Sequence, residues 1–369
     1  MFAKFYRTPT IGSTYSDDFL FATNKVGSYD YTERWTSPGD FTLTLPLDDV
    51  IRKNIKSLQI NNIILIDDDW LWMQDIQYGS SGKITISGQD CKGFLTLRES
   101  TFGETRIAGT EGYDVVKGTT AECVKHYLNN NIINPADPER KMPVTWNAYS
   151  GINGLANDSY MARLENLSDI VKTLCDNAGI GYRMKGKLGT GGFVFELARG
   201  TDRSITQVAN PRVIFSIAWK NVVSMEFEHS VSNLYNAIYA TGADVTKTVY
   251  RDAQNIPTGI SRRETAIDVS VEESADIEKY ALAAVEDNLE THTYKITPAN
   301  DQYGSKYFLG DIVTVKDDIT GNYYNEVITE VTKSCAAGQK SITITLGKQK
   351  PKLLNQIINN MISGVQKRR

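Results

Sequence analysis

The stretch Tyr31-Thr32-Glu33-Arg34-Trp35-Thr36-Ser37-Pro38-Gly39-Asp40-Phe41-Thr42-Leu43-Thr44-Leu45-Pro46 reads as two strands around a turn. Phe41, Leu43, Leu45 and Leu47 alternate with Thr42, Thr44 and Pro46, the period of a strand with one face buried and the other wet. Pro38-Gly39 makes the turn, since proline pre-sets φ and glycine tolerates conformations other residues avoid, and Phe41 anchors the strand that follows. Outward from this hairpin, Ile84 and Ile86 repeat the alternation. Ile60 to Ile66 is a short apolar run, and Trp70 and Trp72 follow an Asp67-Asp68-Asp69 turn, giving a hairpin within a barrel or sandwich. Residues 1–105 are therefore expected to form a first β-barrel-like domain.

Beyond this region the pattern changes. Thr119 followed by Glu122 is a capping box, in which a hydroxyl and a carboxylate satisfy orphan N–H groups at a helix start, and Ala121, Val124 and Leu128 line one face behind it. A second helix is expected with Leu167 before the cap, Ser168 at the cap, Ile170, Val171, Leu174 and Ala178 along the body, and Gly179 at the stop. Between them, Asn134 to Tyr160 is loop-rich and holds Pro135, Pro138 and Pro143. Tyr182 to Met184, a turn at Gly189 to Gly192 and an alternating strand through Phe193, Phe195 and Leu197 complete an α+β insert, residues 106–210.

Strand signals return over residues 211–347, where Met225 and Phe227 face one way and Glu226 and Glu228 the other. One helix interrupts them: Ser274 is its cap, and Ile277, Tyr280, Ala281, Ala284 and Leu289 share a face. Val313, Val315, Val327 and Val331 then lead to Ile342, Ile344 and Leu346. The expected class is α+β, mainly β: two β-barrel-like domains separated by the insert, with a short C-terminal helix over residues 348–369. In that last segment Leu354, Ile358, Met361 and Val365 recur at heptad spacing, flanked by Lys348, Lys350, Lys352, Lys367, Arg368 and Arg369. A helix so short needs a surface to rest on. Two readings stay open: packing on its own domain, or self-association and partner docking through those four residues.

Composition bounds the function classes. The chain has 369 residues, 41% of them hydrophobic and 23% charged, which is ordinary for a globular protein and argues against disorder. Its net charge of -4 gives no general attraction to phosphate, so sequence-reading nucleic-acid proteins are disfavoured. Cys91, Cys123, Cys175 and Cys335 lack C-x-x-C spacing and neighbouring histidines, and read as buried, reduced core residues. The N-terminus is polar where a signal peptide would be apolar, and no uncharged apolar run reaches about 18 residues, so folding in a cytoplasm without export or membrane insertion is expected.

Motifs that carry chemistry are weak. His126, His229 and His292 lie in separate segments outside any H-E-x-x-H pattern and read as core or surface residues. Asp67-Asp68-Asp69 and Asp317-Asp318 lack the ligand alternation of a calcium loop and read as turns. Gly189-Thr190-Gly191-Gly192 lacks the Lys-Ser/Thr pair and following helix of a phosphate cradle and reads as a hairpin. No nucleophile elbow is present. The expectation is a protein without enzymatic activity, cofactor or metal.

The Tyr31–Pro46 stretch resembles the N-terminal signature of siphophage tail hub, or tail-tip, proteins. The same family order continues through Ser87-Gly88-Gln89-Asp90, Gly93-Phe94-Leu95 with Arg98, Asn131-Ile132-Ile133-Asn134-Pro135, Asn233 to Gly242, Arg262-Arg263-Glu264 and Leu309-Gly310-Asp311-Ile312-Val313-Thr314-Val315. The resemblance, which extends to the baseplate hub of contractile phages, implies a homotrimer whose two strand-rich domains per subunit form a pseudo-sixfold ring and cup at the distal end of the tail tube. It further implies assembly in the bacterial host cytoplasm and a place at the distal tip of the virion's tail. The implied partners are the distal tail protein ring, the tape measure protein and a receptor-binding or spike protein below, with DNA passing through the lumen on ejection. Two other readings stand beside it. One is a tail-associated cell-wall hydrolase or carbohydrate-binding module in which Trp70, Trp72, Trp146 and Trp219 stack on sugars; the other is the same hub in a contractile tail or phage-derived bacteriocin.

Overall fold

In the computed structural model the residues described are 1–101, 113–147, 157–242 except 188 and 190, 246–268, 277–285, 288, 290–300, 302–336 and 338–347. The Leu354, Ile358, Met361 and Val365 seam and the Ser274 cap lie outside them. The chain divides into two compact units, Met1–Met225 with Lys295–Leu346, and a second that contains Glu226–Tyr294.

Near the N-terminus of the first unit the strands are β1 (Ala3–Tyr6), β2 (Phe19–Thr23), β3 (Ser28–Arg34), β4 (Asp40–Pro46), β5 (Ile63–Ile66), β6 (Asp69–Tyr78) and β7 (Lys83–Asp90). β3 and β4 pair antiparallel across the Pro38-Gly39 turn, with Tyr31 opposite Phe41. Phe41, Leu43 and Leu45 are buried as their alternation requires. β5 and the Trp70–Met73 half of β6 are buried on both faces. Ile64, Ile66, Leu71 and Met73 join one core with Tyr29, Phe41, Leu43 and Ile86, while Ile63, Leu65, Trp70 and Trp72 join another.

That second core is shared with the insert, whose strands are β8 (Asp114–Thr119), β9 (Val144–Asn147), β10 (Asn157–Ala162), β11 (Gly181–Gly186) and β12 (Phe193–Ala198). The helices Thr120–Leu128 and Leu167–Asn177 supply Cys123, Val124, Tyr127, Leu128, Ile170, Val171, Leu174 and Cys175 to it. The capping box forms as expected, Thr119 and Glu122 bonding each other's backbone N–H. In the second helix the cap is Asn166, two residues before the expected Ser168: its side-chain oxygen accepts from Ser168 N at 3.1 Å, which places Ser168 inside the helix. Gly189, Gly191 and Gly192 have positive φ between the antiparallel β11 and β12, a hairpin.

The chain continues through β13 (Ile214–Phe215) and β14 (Val222–Ser230) into the second unit, which holds β15 (Ala237–Thr241), β16 (Thr246–Tyr250) and β17 (Glu264–Asp268). β15 is central, antiparallel to β16 and parallel to β17. The helix Ile277–Ala284 adds Ile277 and Ala281 to a small core with Ile238, Ala240, Val249 and Val285. β18 (Thr291–Pro298) returns to the first unit, where β19 (Ile312–Lys316), β20 (Tyr323–Ala336) and β21 (Gln339–Gly347) follow.

β20 pairs with β3 as well as with β19 and β21. One sheet of 13 strands therefore runs β14-β18-β21-β20-β3-β4-β7-β6-β5-β1-β2, with β19 and β13 branching from β20. It is open at both ends, so the barrel-like expectation is corrected to open sheets, while the mainly β, α+β class stands, with 45% strand and 18% helix among the described residues. Among the described residues no helix is long and apolar enough to cross a membrane.

Candidate functional site: the seam between the strand regions

The β3–β20 pairing is where the N-terminal and C-terminal strands become one sheet, and the Tyr31–Trp35 segment supplies its side chains. The Thr32 and Thr332 hydroxyls meet at 3.0 Å. Arg34 Nε donates to Glu330 at 2.9 Å, and its Nη1 reaches the Asp40 carboxylate and the Pro38 carbonyl, each at 2.7 Å. On the next turn of the pleat, Lys333 Nζ lies 2.5 Å from Asp69 and 3.6 Å from Glu33, over the rings of Tyr31 and Tyr303 at 5.3 and 5.7 Å. Tyr303 donates to Glu33 at 2.9 Å, Tyr29 to Asp69 at 3.1 Å and Tyr31 to Asp90 at 3.1 Å. Lys92 pairs with Asp90 and donates to the Arg34 carbonyl.

These are buried or half-buried charges, each of which is costly without a partner. Burial opposes the ionised Glu33, but Lys333, Lys92 and the Tyr303 hydrogen bond outweigh it and hold its carboxyl below the usual range. For Asp69 and Asp90 burial prevails and raises the pKa, despite Lys333 and Lys92. Burial, joined by the neighbouring carboxylates, pushes Tyr29, Tyr31 and Tyr303 well above a normal phenol. The groups satisfy one another, and no activated nucleophile is among them.

Trp35 closes the seam at its end. Its backbone N–H donates to Thr329 O at 2.9 Å and its carbonyl accepts from Tyr182 N at 3.3 Å. Its ring lies against Gly181 of β11 and Gly310, where any Cβ would sit 2.3 Å from a ring carbon. Gly310 also has φ +90, so only glycine suits the position twice over. Next to it the buried Asp311 accepts from Arg203 Nε at 2.8 Å, Thr201 N at 2.7 Å and Phe308 N at 3.0 Å. One indole thus touches the N-terminal strands, the insert and the Leu309-Gly310-Asp311 turn.

The structure sorts the other sequence candidates. Trp70 and Trp72 are core residues and Trp146 packs against the same core, stacked on Phe195, so they form no sugar platform. Trp219 alone of the four is open, 51% exposed, with Lys316 over its ring at 5.9 Å, beside a cavity of about 280 Å³ lined also by Arg212, Asn300 and Lys306. Asp67 and Asp68 make the expected turn, but Asp69 points into the seam where a solvated carboxylate was expected, because Lys333 and Tyr29 converge on it. All four cysteines are buried, and none is in a disulfide. His126 pairs with Asp114 at 2.7 Å. His229 and His292, far apart in sequence, come together beside Glu290. No local signal marks Lys333, Tyr303 or Asp69 as partners, since each lies in a different segment from the Tyr31–Trp35 motif.

This fold is similar to that of solved phage tail proteins. Similar solved structures are the tail protein from Neisseria meningitidis MC58 (16% identity, 94% of this chain and 97% of that one, TM-score 0.57), the prophage tail protein gp18 from Listeria monocytogenes EGD-e (10%, 98% and 99%, 0.55) and the 43 kDa tail protein of prophage MuSo2 from Shewanella oneidensis (13%, 94% and 97%, 0.54). No curated protein matches the chain. Residues 20–348 match the family described as Siphovirus ReqiPepy6 Gp37-like protein, and the chain belongs to that family.

Proposed function

We propose that the protein is a structural tail hub: three copies form a pseudo-sixfold ring and cup that closes the distal end of a phage tail tube and opens for DNA ejection. The observation that carries the reading is the seam. It makes two strand-rich regions of one chain a single continuous sheet, so one subunit offers two ring positions and three subunits offer six, matching a sixfold tube. In this reading residues 1–105 and 211–347 are the ring domains, 106–210 the cup, and Leu354, Ile358, Met361 and Val365 a threefold contact or a platform for a spike or receptor-binding protein. The edge strand β2, with Phe19 exposed on it and Phe2 exposed just before the neighbouring β1, suits docking to a distal tail protein ring. The tape measure ends within the cup, and no bond is made or broken by the hub.

The test is the solution mass, by light scattering, of the full chain and of a version ending at Gly347. A full-length trimer supports the hub, and its dissociation on truncation assigns the last segment to assembly. A monomer at high concentration overturns the preassembled ring.

A further inference from the structure

His229 in β14, Glu290, and His292 in β18 converge although 61 residues separate His229 from Glu290. Among the described residues they are the group of three whose ligand-type atoms all lie within 4.8 Å of one another. His229 Nε2 is 2.5 Å and His292 Nε2 3.5 Å from the same oxygen, Glu290 Oε1. The two imidazoles stand 4.4 Å apart at 64°. Phe227, stacked on Tyr294 at 4.7 Å, flanks both rings at 6.5 and 6.2 Å. The three side chains are 42 to 47% exposed, so an ion reaches them from solvent.

The geometry points to a divalent transition-metal site in which His229 and His292 give imidazole nitrogens and Glu290 a carboxylate oxygen to Zn²⁺ or a similar ion. With metal–ligand bonds of about 2.0–2.2 Å, tetrahedral donors lie roughly 3.3 Å apart. The His292–Glu290 spacing already suits this, and His229 and Glu290 must open by only about 1 Å, which a half-exposed carboxylate accomplishes by rotation. Two imidazoles select for zinc, nickel or copper over calcium and magnesium, which take oxygen donors. A fourth position faces solvent and takes water or a donor from a partner. The bound ion cross-links the segments that lead into and out of the small β15–β17 sheet, closing a loop of about 60 residues that otherwise rests on a small core.

The test is calorimetric titration of the tag-free full chain with ZnCl₂ at pH 7.5, with CaCl₂ as the hard-ion control. One saturable zinc equivalent per chain is expected, lost in His229→Ala/His292→Ala and weakened about tenfold or more in Glu290→Gln. No saturable zinc binding, or binding unchanged in the double variant, overturns the site. Should the double variant unfold, the Co²⁺-loaded intact chain decides. A visible ligand-field spectrum that Glu290→Gln alters supports the site, and a spectrum indistinguishable from aqueous Co²⁺ overturns it.

Discussion

At the β3–β20 seam the first unit joins strands 300 residues apart through buried charges, tyrosines and Trp35, with a large apolar core on either side of the adjoining strands. Among the described residues, the β15–β17 sheet of the second unit is held instead by six buried apolar residues and by local pairs such as Arg262–Glu264 and Lys247–Glu278. Exposed pairs of that kind contribute little. The difference implies two cooperative units of unequal strength, the second opening first.

Six substitutions and one titration probe that difference. Trp35→Ala removes the indole shared by three parts of the first unit and is expected to cost about 4 kcal/mol, read as a lower urea midpoint; a change below about 1 kcal/mol refutes the joint. Ile238→Ala is expected to cost about 3 kcal/mol within the second unit alone. Hydrogen exchange should then accelerate over Ala237–Thr241 while Ser28–Arg34 stays protected, and equal acceleration in both would show one cooperative unit. Lys333→Met leaves Glu33 and Asp69 without their cation and should cost about 2 kcal/mol, less than a fully buried pair because the ammonium is partly wet; adding Glu33→Gln should recover part of the loss.

The titration sharpens the picture at high pH. Tyr29, Tyr31 and Tyr303 have pKa values raised by burial, and that of Lys333 is raised by Glu33 and Asp69 against the opposing effect of burial. A raised value means the folded state holds its proton more tightly than the unfolded chain. The stability these groups give is complete below about pH 10 and is lost as pH rises beyond it. Urea midpoints measured at pH 8, 9.5 and 11 should fall mainly over the last step, and Tyr303→Phe should flatten that fall. The smallest effect belongs to Thr119→Ala, which breaks the capping box at about 1 kcal/mol and should leave exchange in both the seam and the second unit untouched.

Much of this architecture is legible in the sequence because it is local. The alternation of Phe41, Leu43 and Leu45 states which face is buried, and Thr119 with Glu122 states where a helix begins. What escapes is pairing at a distance. Nothing near Tyr31 announces that Lys333 lies opposite, and nothing near His229 announces His292, since hydrophobic period encodes a face but not a partner. Trp70 and Trp72 show the intermediate case. Their alternation with Leu71 and Met73 is plain, yet both faces of this half of β6 are covered because the insert supplies a second core. Asp69 is hidden for the same reason, as the end of a turn that faces inward only once β20 is in place.

The β3–β20 pairing also sets a schedule. During synthesis β3 and its neighbours emerge early, whereas their partner in β20 is made some 300 residues later. At about 5–20 residues per second, roughly 15–60 s pass before it arrives. Through that interval the backbone of β3 is a free edge, able to recruit the same strand of another nascent chain on the polysome. The nascent protein therefore passes through its greatest risk of wrong association before its last strands leave the ribosome, and chaperone demand should fall sharply once residue 336 is clear of the exit tunnel.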